Sequence, residues 1–180
     1  MAGNVEEALA WYQRAISCSD ADDSSATWFG NALHNERRHV DATEVYLLAS
    51  ILDPDDATGF AHVADELSIA MRHERIESAR GGITSTRRLP GEITEDAIKR
   101  AFMAAFSCRL IDQEDVDRCK RAARIVQIDL TTLIGVRTKS DEQQMSVHER
   151  PIFASEVYAH LRSHLTDGQA AAFAAVGRTN

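Results

Sequence analysis

Residues 23–56 read DSSATWFGNALHNERRHVDATEVYLLASILDPDD, and this stretch decides the fold. Ala26, Phe29, Gly30 and Leu33 recur at helical spacing, as do Ala42, Tyr46 and Ala49 a short turn later, so the segment predicts two consecutive helices. Sliding the sequence along itself gives its strongest internal signal at an offset of 34 residues. Ala8, Tyr12 and Ala15 reappear as Ala42, Tyr46 and Ala49, and Ala26, Phe29, Gly30 and Leu33 reappear as Phe60, Val63, Ala64 and Leu67. Between the copies lies Asp53-Pro54-Asp55-Asp56, where Pro54 cannot continue a helix and the acids suit the amino-terminal end of the next one. Gly30 and Ala64 are small where two antiparallel helices must approach closely, and Ala42 and Ala49 serve that contact from the partner helix.

On these residues the chain resembles the tetratricopeptide repeat family. Phe29-Gly30, Leu33, Ala42, Tyr46, Ala49 and Pro54 stand at the family spacing, with Ala26 where tryptophan is commonest. Residues 3–22 match the second helix of a preceding unit, with Ala8, Trp11, Tyr12 and Ala15, and residues 57–80 supply a further first helix. The resemblance covers residues 3–80 and implies helical hairpins stacked into a superhelix with a concave groove. It implies partner contacts through groove positions that fall on Ser24, Thr27, Asn31, His34 and Asn35, then on Thr58, Ala61, Asp65, Ser68 and Ile69. Thr27, Asn31, His34, Asn35, Thr58 and Asp65 are the expected partner-binding set. Ala61 and Asp65 stand where a carboxylate clamp needs cations, so the expected occupant is a neutral or basic peptide or helix.

The rest of the chain fits an all-α reading. Its 180 residues are 44% hydrophobic, enough for a real core, while 9 glycines, 3 prolines and 6% aromatic residues argue against sandwiches and barrels. Residues 81–93, GGITSTRRLPGEI, read as a linker, which leaves 94–180 as a second helical unit of no recognised family. There Thr94 caps a helix carrying Ala97, Ile98, Ala101, Phe102, Ala105 and Phe106 inward, and Asp112 caps another through Val116, Cys119, Ala123 and Val126. The latter has room to continue to Ile134, although the β-branched run 128–136 also suits a strand. Residues 137–150 read as an exposed loop. Pro151 opens a helix with Ile152, Val157, Tyr158, Leu161 and Leu165 inward, and Thr166 with Gln169 forms a capping pair before 170–176.

The formal charge of −8 argues against a general nucleic-acid or anionic-membrane binder. It is unevenly spread, since residues 1–80 carry a net −9 and residues 81–180 a net +1. No apolar run spans a bilayer and no secretory leader opens the chain, so a cytoplasmic protein is expected. Seventeen arginines against three lysines suggest a GC-rich, bacterial genome. Cys18, Cys108 and Cys119 are odd in number and far apart, which predicts reduced thiols rather than a disulfide or metal framework.

Catalytic signatures are missing: there is no GxGxxG, Walker loop, GxSxG or HExxH. Glu156, His160 and His164 share a helix face but read better as a solvated helix pair than as metal ligands. Asp20, Asp22, Asp23 and Ser24 lack the glycine and glutamate of a calcium loop, and fit a helix-capping turn. Arg118, Lys120, Arg121 and Arg124 form a basic run that suits a wet helix face or an acidic partner surface, such as the first half of a neighbouring copy. The expectation is a non-enzymatic, chaperone-like or adaptor module without cofactor or metal that holds another protein; the alternative is an accessory or regulatory domain of a larger enzyme. The stripe Leu9, Tyr12 and Ile16 lacks its usual first-helix partner, which points to cover from the second half, from upstream residues or from a second copy in a homodimer.

Overall fold

A computed structural model describes residues 3–18, 22–81, 89–90, 93–130 and 144–161. Among them the chain is all-α, with seven helices and, in place of any strand, a single bridge between Asp56 and Leu110. The helices are α1 (Gly3–Ile16), α2 (Asp23–Asn35), α3 (His39–Leu52), α4 (Ala57–Arg80), α5 (Glu95–Ser107), α6 (Gln113–Val126) and α7 (Glu149–Leu161).

Aspartate caps open α2, α4 and α6, whereas Thr94, expected to cap α5, stands at its N-cap in extended conformation without a side-chain cap hydrogen bond. Asp22 accepts from the Ser25 amide at 2.7 Å, and Asp56 accepts from the Thr58 amide at 2.9 Å, so each acid satisfies a donor that the first turn leaves open. Asp112 forms a full capping box with Asp115. At the other ends, Gly81 closes α4 with φ +68°, and Gln127 takes the same left-handed conformation at φ +59° to stop α6. The helix opened by Asp112 therefore ends at Val126 instead of continuing; Ile134 and Gly135 lie outside the described residues. So do Asp20, Leu165, Thr166, Gln169 and 170–176.

Three residues, Glu36–Arg38, separate α2 from α3, with Arg37 left-handed at φ +59°, so the two helices fold back as a tightly packed pair. Ala26, Phe29, Gly30 and Leu33 face Ala42, Val45, Tyr46 and Ala49, and all are buried as the spacing predicts. α3 is the centre of the molecule. Every residue from Val40 to Ser50 is buried, because α2, α4 and α7 all pack on it.

α4 runs unbroken for 24 residues and joins the two halves. α5 and α6 pack along α4, whereas they make little contact with each other, and α7 packs on α3. Residues from both sides of 81–93 belong to one core that unites Tyr46, Phe60, Leu67, Phe102, Cys119 and Phe153. The described part of the linker contributes to it, with Leu89 and Ile93 buried. The reason lies in the stripes of α5 and α6. Each is apolar on one face only, and the surface that covers it is α4.

Two expectations need correction here. Ala8 and Ala15 are exposed although their repeat counterparts Ala42 and Ala49 are buried, because α1 packs on α2 alone and buries one narrow stripe. That stripe is covered from within the chain: Leu9 and Ile16 are buried, and Tyr12 stacks on Phe29 with ring centroids 6.0 Å apart. Arg150, placed by its polar neighbours in an exposed loop, is only 3% exposed, in the first turn of α7. Its guanidinium donates to the carbonyls of Pro54 (2.6 Å), Ser107 (3.1 Å) and Met145 (3.0 Å) and to Asp55 Oδ1 (2.6 Å). One side chain thus ties the α3–α4 turn to the end of α5 and the start of α7.

Candidate functional site

The surface of α2 and α4 on which the sequence places a partner is built from α2 outward. Asn31, one residue beyond Gly30, is half-buried and its Oδ1 accepts a 2.7 Å hydrogen bond from the Tyr46 hydroxyl. Gly30 makes this possible, because a Cβ there would lie 2.5 Å from the Tyr46 ring. The Tyr46 ring stacks on His62 with centroids 4.0 Å apart. Burial, with smaller contributions from Arg118 and His34, pushes the His62 imidazole down to about 3, so it is neutral at pH 7.

His34 stands on the last turn of α2 and His39 opens α3. The tight turn between them aims both rings at Glu66, in the third turn of α4. His34 Nδ1 lies 2.6 Å from one carboxylate oxygen and His39 Nδ1 lies 2.8 Å from the other. The Glu66 side chain is 1% exposed, His39 11% and His34 41%. Burial alone would raise the Glu66 pKa, but the two imidazole hydrogen bonds outweigh it and hold the carboxyl below its ordinary value. The same hydrogen bond to Glu66 raises His34. His73 adds an edge-on contact, its ring centroid 5.3 Å from that of His39.

The α4 part of the expected groove is occupied by the chain itself. α6 packs along α4, with Thr58 Oγ1 3.5 Å from Asp115 Oδ2. Ala61 and Ser68 are fully buried, and Asp65, expected to be exposed, is only 8% exposed. Burial raises the Asp65 carboxyl, reinforced by Glu66 and opposed by Arg121 and Arg118. Asp115 is pushed up to about 6 by burial and by Asp112. Residues of the basic run read as a ligand for an acidic surface therefore stand near such a surface in cis. Of the six expected partner residues, Asn31, His34, Thr58 and Asp65 are engaged within the chain, Thr27 is half-buried, and Asn35 is exposed.

A concavity lies between α1, α2 and α3. It encloses about 190 Å³, with Leu9, Phe29, Leu33 and Val45 as apolar lining and Glu6, Asp41, Glu44 and Arg38 as its charged residues. Arg38 Nε pairs with Asp41 at 2.7 Å. The two tryptophans of the chain stand on the same helices, Trp11 on α1 at 61% exposed and Trp28 on α2 at 63%. Arg14 lies over the Trp11 ring, 5.1 Å from its centroid.

Cys108 and Cys119 are buried, and desolvation pushes both thiols up to about 12, which removes the thiolate needed for reactivity; Cys18 is exposed. Glu156 pairs with Arg100 at 2.7 Å and His160 is exposed, while His164 lies outside the described residues. No helix among the described residues is long and apolar enough to cross a membrane. Comparison with protein-family models, with curated proteins and with solved structures finds no match.

Proposed function

We propose that this chain is a non-enzymatic helical interaction module that holds a neutral or basic segment of another protein in the cleft between α1, α2 and α3. The observation that carries this reading is the make-up of the cleft, an apolar lining of Leu9, Phe29, Leu33 and Val45 beside three carboxylates and one arginine. An apolar anchor flanked by lysine or arginine is complementary to such a surface, and the net −9 of residues 1–80 favours its approach. Trp11 and Trp28, exposed on the two helices that contribute Leu9 and Phe29 to the cleft, supply the large amphipathic rings that alanine scans of interfaces find enriched at energetic centres. The tetratricopeptide-like reading of residues 3–80 supports the same conclusion: back-to-back helices with small residues at Gly30, Ala42 and Ala64 leave surfaces between units, and such surfaces serve recognition.

The presence of α6 along α4 is the reason the cleft, and not the Asn31–Asp65 surface, is preferred. The test is binding of a captured partner to three forms of the protein. Trp28→Ser and Glu44→Gln should each weaken binding by about tenfold or more, the level of a single interface anchor, with little change in melting temperature for Trp28→Ser. Asn35→Ala on the α2–α4 surface should bind as the parent does. Undiminished binding by Trp28→Ser and Glu44→Gln, with loss in Asn35→Ala, would return the site to that surface.

A further inference from the structure

The His34–Glu66–His39 cluster is unusual for what it joins. A carboxylate buried to 1% is approached on both oxygens by imidazole nitrogens from two other helices, and nothing in the interaction reading uses it. We propose that His34, His39 and Glu66 form a site for a divalent transition metal of the zinc class, which staples the α2–α3 turn to α4.

The donor set is that of a metal site with one open position, two imidazoles and a carboxylate. Neutral imidazoles and a single carboxylate leave one negative charge to meet a divalent cation. The spacing fits as well. In a tetrahedral zinc site with bonds of about 2.0–2.1 Å, neighbouring ligand atoms stand about 3.3 Å apart. Here the nitrogen–oxygen pairs are at 2.6 and 2.8 Å, and one donor atom from each of the three residues lies within 4.8 Å of the others. Those separations bracket the required one, so modest side-chain rotations open the cluster around an ion.

Access and rigidity are both present. Glu66 is fixed in the buried middle of α4 and His39 is nearly buried, which makes two ligands stiff, whereas His34 at 41% exposed forms the solvent side through which an ion enters. Arg37 holds a left-handed conformation between the two histidines, and that turn brings residues five apart onto one carboxylate. Arg118, the cation nearest in charge effect to His34, is itself bonded to Glu114 at 3.0 Å. The ions selected are those that favour imidazole over all-oxygen shells, Zn²⁺ before Mg²⁺ or Ca²⁺.

The experiment uses the full chain stripped with chelator and titrated with Zn²⁺ against a chromogenic competitor, with Co²⁺ as a spectroscopic substitute. The parent should bind about one ion per chain and melt higher with Zn²⁺ than without it. His39→Ala and Glu66→Gln should weaken binding by more than about 100-fold, beyond the roughly 10–100-fold typical of outer-shell changes, and lose the Zn²⁺-dependent rise in Tm. Because Glu66→Gln disturbs a buried group, His34→Ala is the decisive variant: its side chain is partly exposed, so it should fold as the parent does and still bind Zn²⁺ at least about tenfold more weakly. A His160→Ala/His164→Ala control should bind as the parent does. Absence of stoichiometric Zn²⁺ binding, binding unchanged in His34→Ala and His39→Ala, or binding lost in the His160/His164 control would overturn the proposal and leave the cluster a hydrogen-bonded His–Glu–His triad.

Discussion

Replacing Gly30 by alanine pits two effects of opposite sign against each other. Helix propensity favours the change, because glycine in a helix interior costs about 1 kcal/mol relative to alanine. Packing opposes it. The new methyl would lie 2.5, 2.6 and 2.8 Å from three ring atoms of Tyr46, well inside contact distance, and the ring has no retreat. The ring is stacked on His62 at 4.0 Å, and its hydroxyl is bonded to Asn31, the residue next to the substitution. Overpacking of this kind costs roughly 1–3 kcal/mol, and a ring held by both a stack and a hydrogen bond belongs at the upper end. The net expectation is a loss of about 1–2 kcal/mol, or about 2–8 °C in Tm for a chain of this length. Thermal and urea unfolding measure it. The mechanism is checked by a double-mutant cycle with Tyr46→Leu, which by itself should cost roughly 2–4 kcal/mol for the cavity it leaves. With the ring gone, Gly30→Ala should be neutral or stabilising, a coupling of about 1–3 kcal/mol. A Gly30→Ala protein that melts above the parent, or that loses the same stability in both backgrounds, would refute the close-approach argument. Gly30→Leu should not fold, since it adds a branched side chain at the same point.

Two further expectations concern groups buried between the halves of the chain. Arg150→Met leaves three carbonyls and Asp55 without their guanidinium, and should cost about 3–5 kcal/mol in urea unfolding; a loss below about 1 kcal/mol would show that Arg150 does not clamp α7 to the α3–α4 turn. His62 has a folded pKa of about 3 against 6.5 ordinarily, so its contribution is present in full above pH 6.5 and is lost as pH falls toward 3, about 2 kcal/mol by pH 5. Asp115, raised to about 6, acts in the opposite direction over pH 6 to 4, so the effect is read as a difference: His62→Phe should lose about 2 kcal/mol less than the parent between pH 7 and pH 5, and parallel pH profiles would contradict the assignment.

How far the sequence carries toward this structure can be seen residue by residue. Periodicity identifies which side of a helix is buried, so Phe29, Leu33, Ala42 and Tyr46, and later Ile98, Ala101, Phe102 and Phe106, are all where the spacing puts them. Asp22, Asp56 and Asp112 cap because their chemistry is local. What periodicity does not encode is the identity of the covering element. A one-sided stripe on α6 is compatible with a separate helical unit or with α4, and only tertiary packing selects α4, which in turn buries Asp65. Charged residues that are buried by pairing escape hydropathy altogether. Glu66 pairs with histidines 27 and 32 residues away, and Arg150, although it also bonds the nearby Met145 carbonyl, owes its burial to Pro54, Asp55 and Ser107, which lie 43 to 96 residues away. The signal the sequence offers for the first is limited to His34 and His39, which flank a predicted turn. Gly59 was likewise invisible to the repeat. It sits five residues before Ala64, the counterpart of Gly30, yet a Cβ there would lie 2.4 Å from Ser50 Oγ and 2.9 Å from the Ser50 amide nitrogen, so α3 and α4 meet backbone to backbone at that point.

Residue-level mapping tests most directly whether the α1–α3 cleft is where another protein is held. Peptides selected from a random library against the full chain should be enriched in an apolar anchor with adjacent lysine or arginine. On titration with such a peptide, backbone amide NMR shifts should cluster on α1, α2 and the first half of α3, around Leu9, Phe29 and Val45. Shifts confined to α5–α7, or selection of acidic peptides that leave the amides of Leu9, Phe29 and Val45 unmoved, would contradict the account.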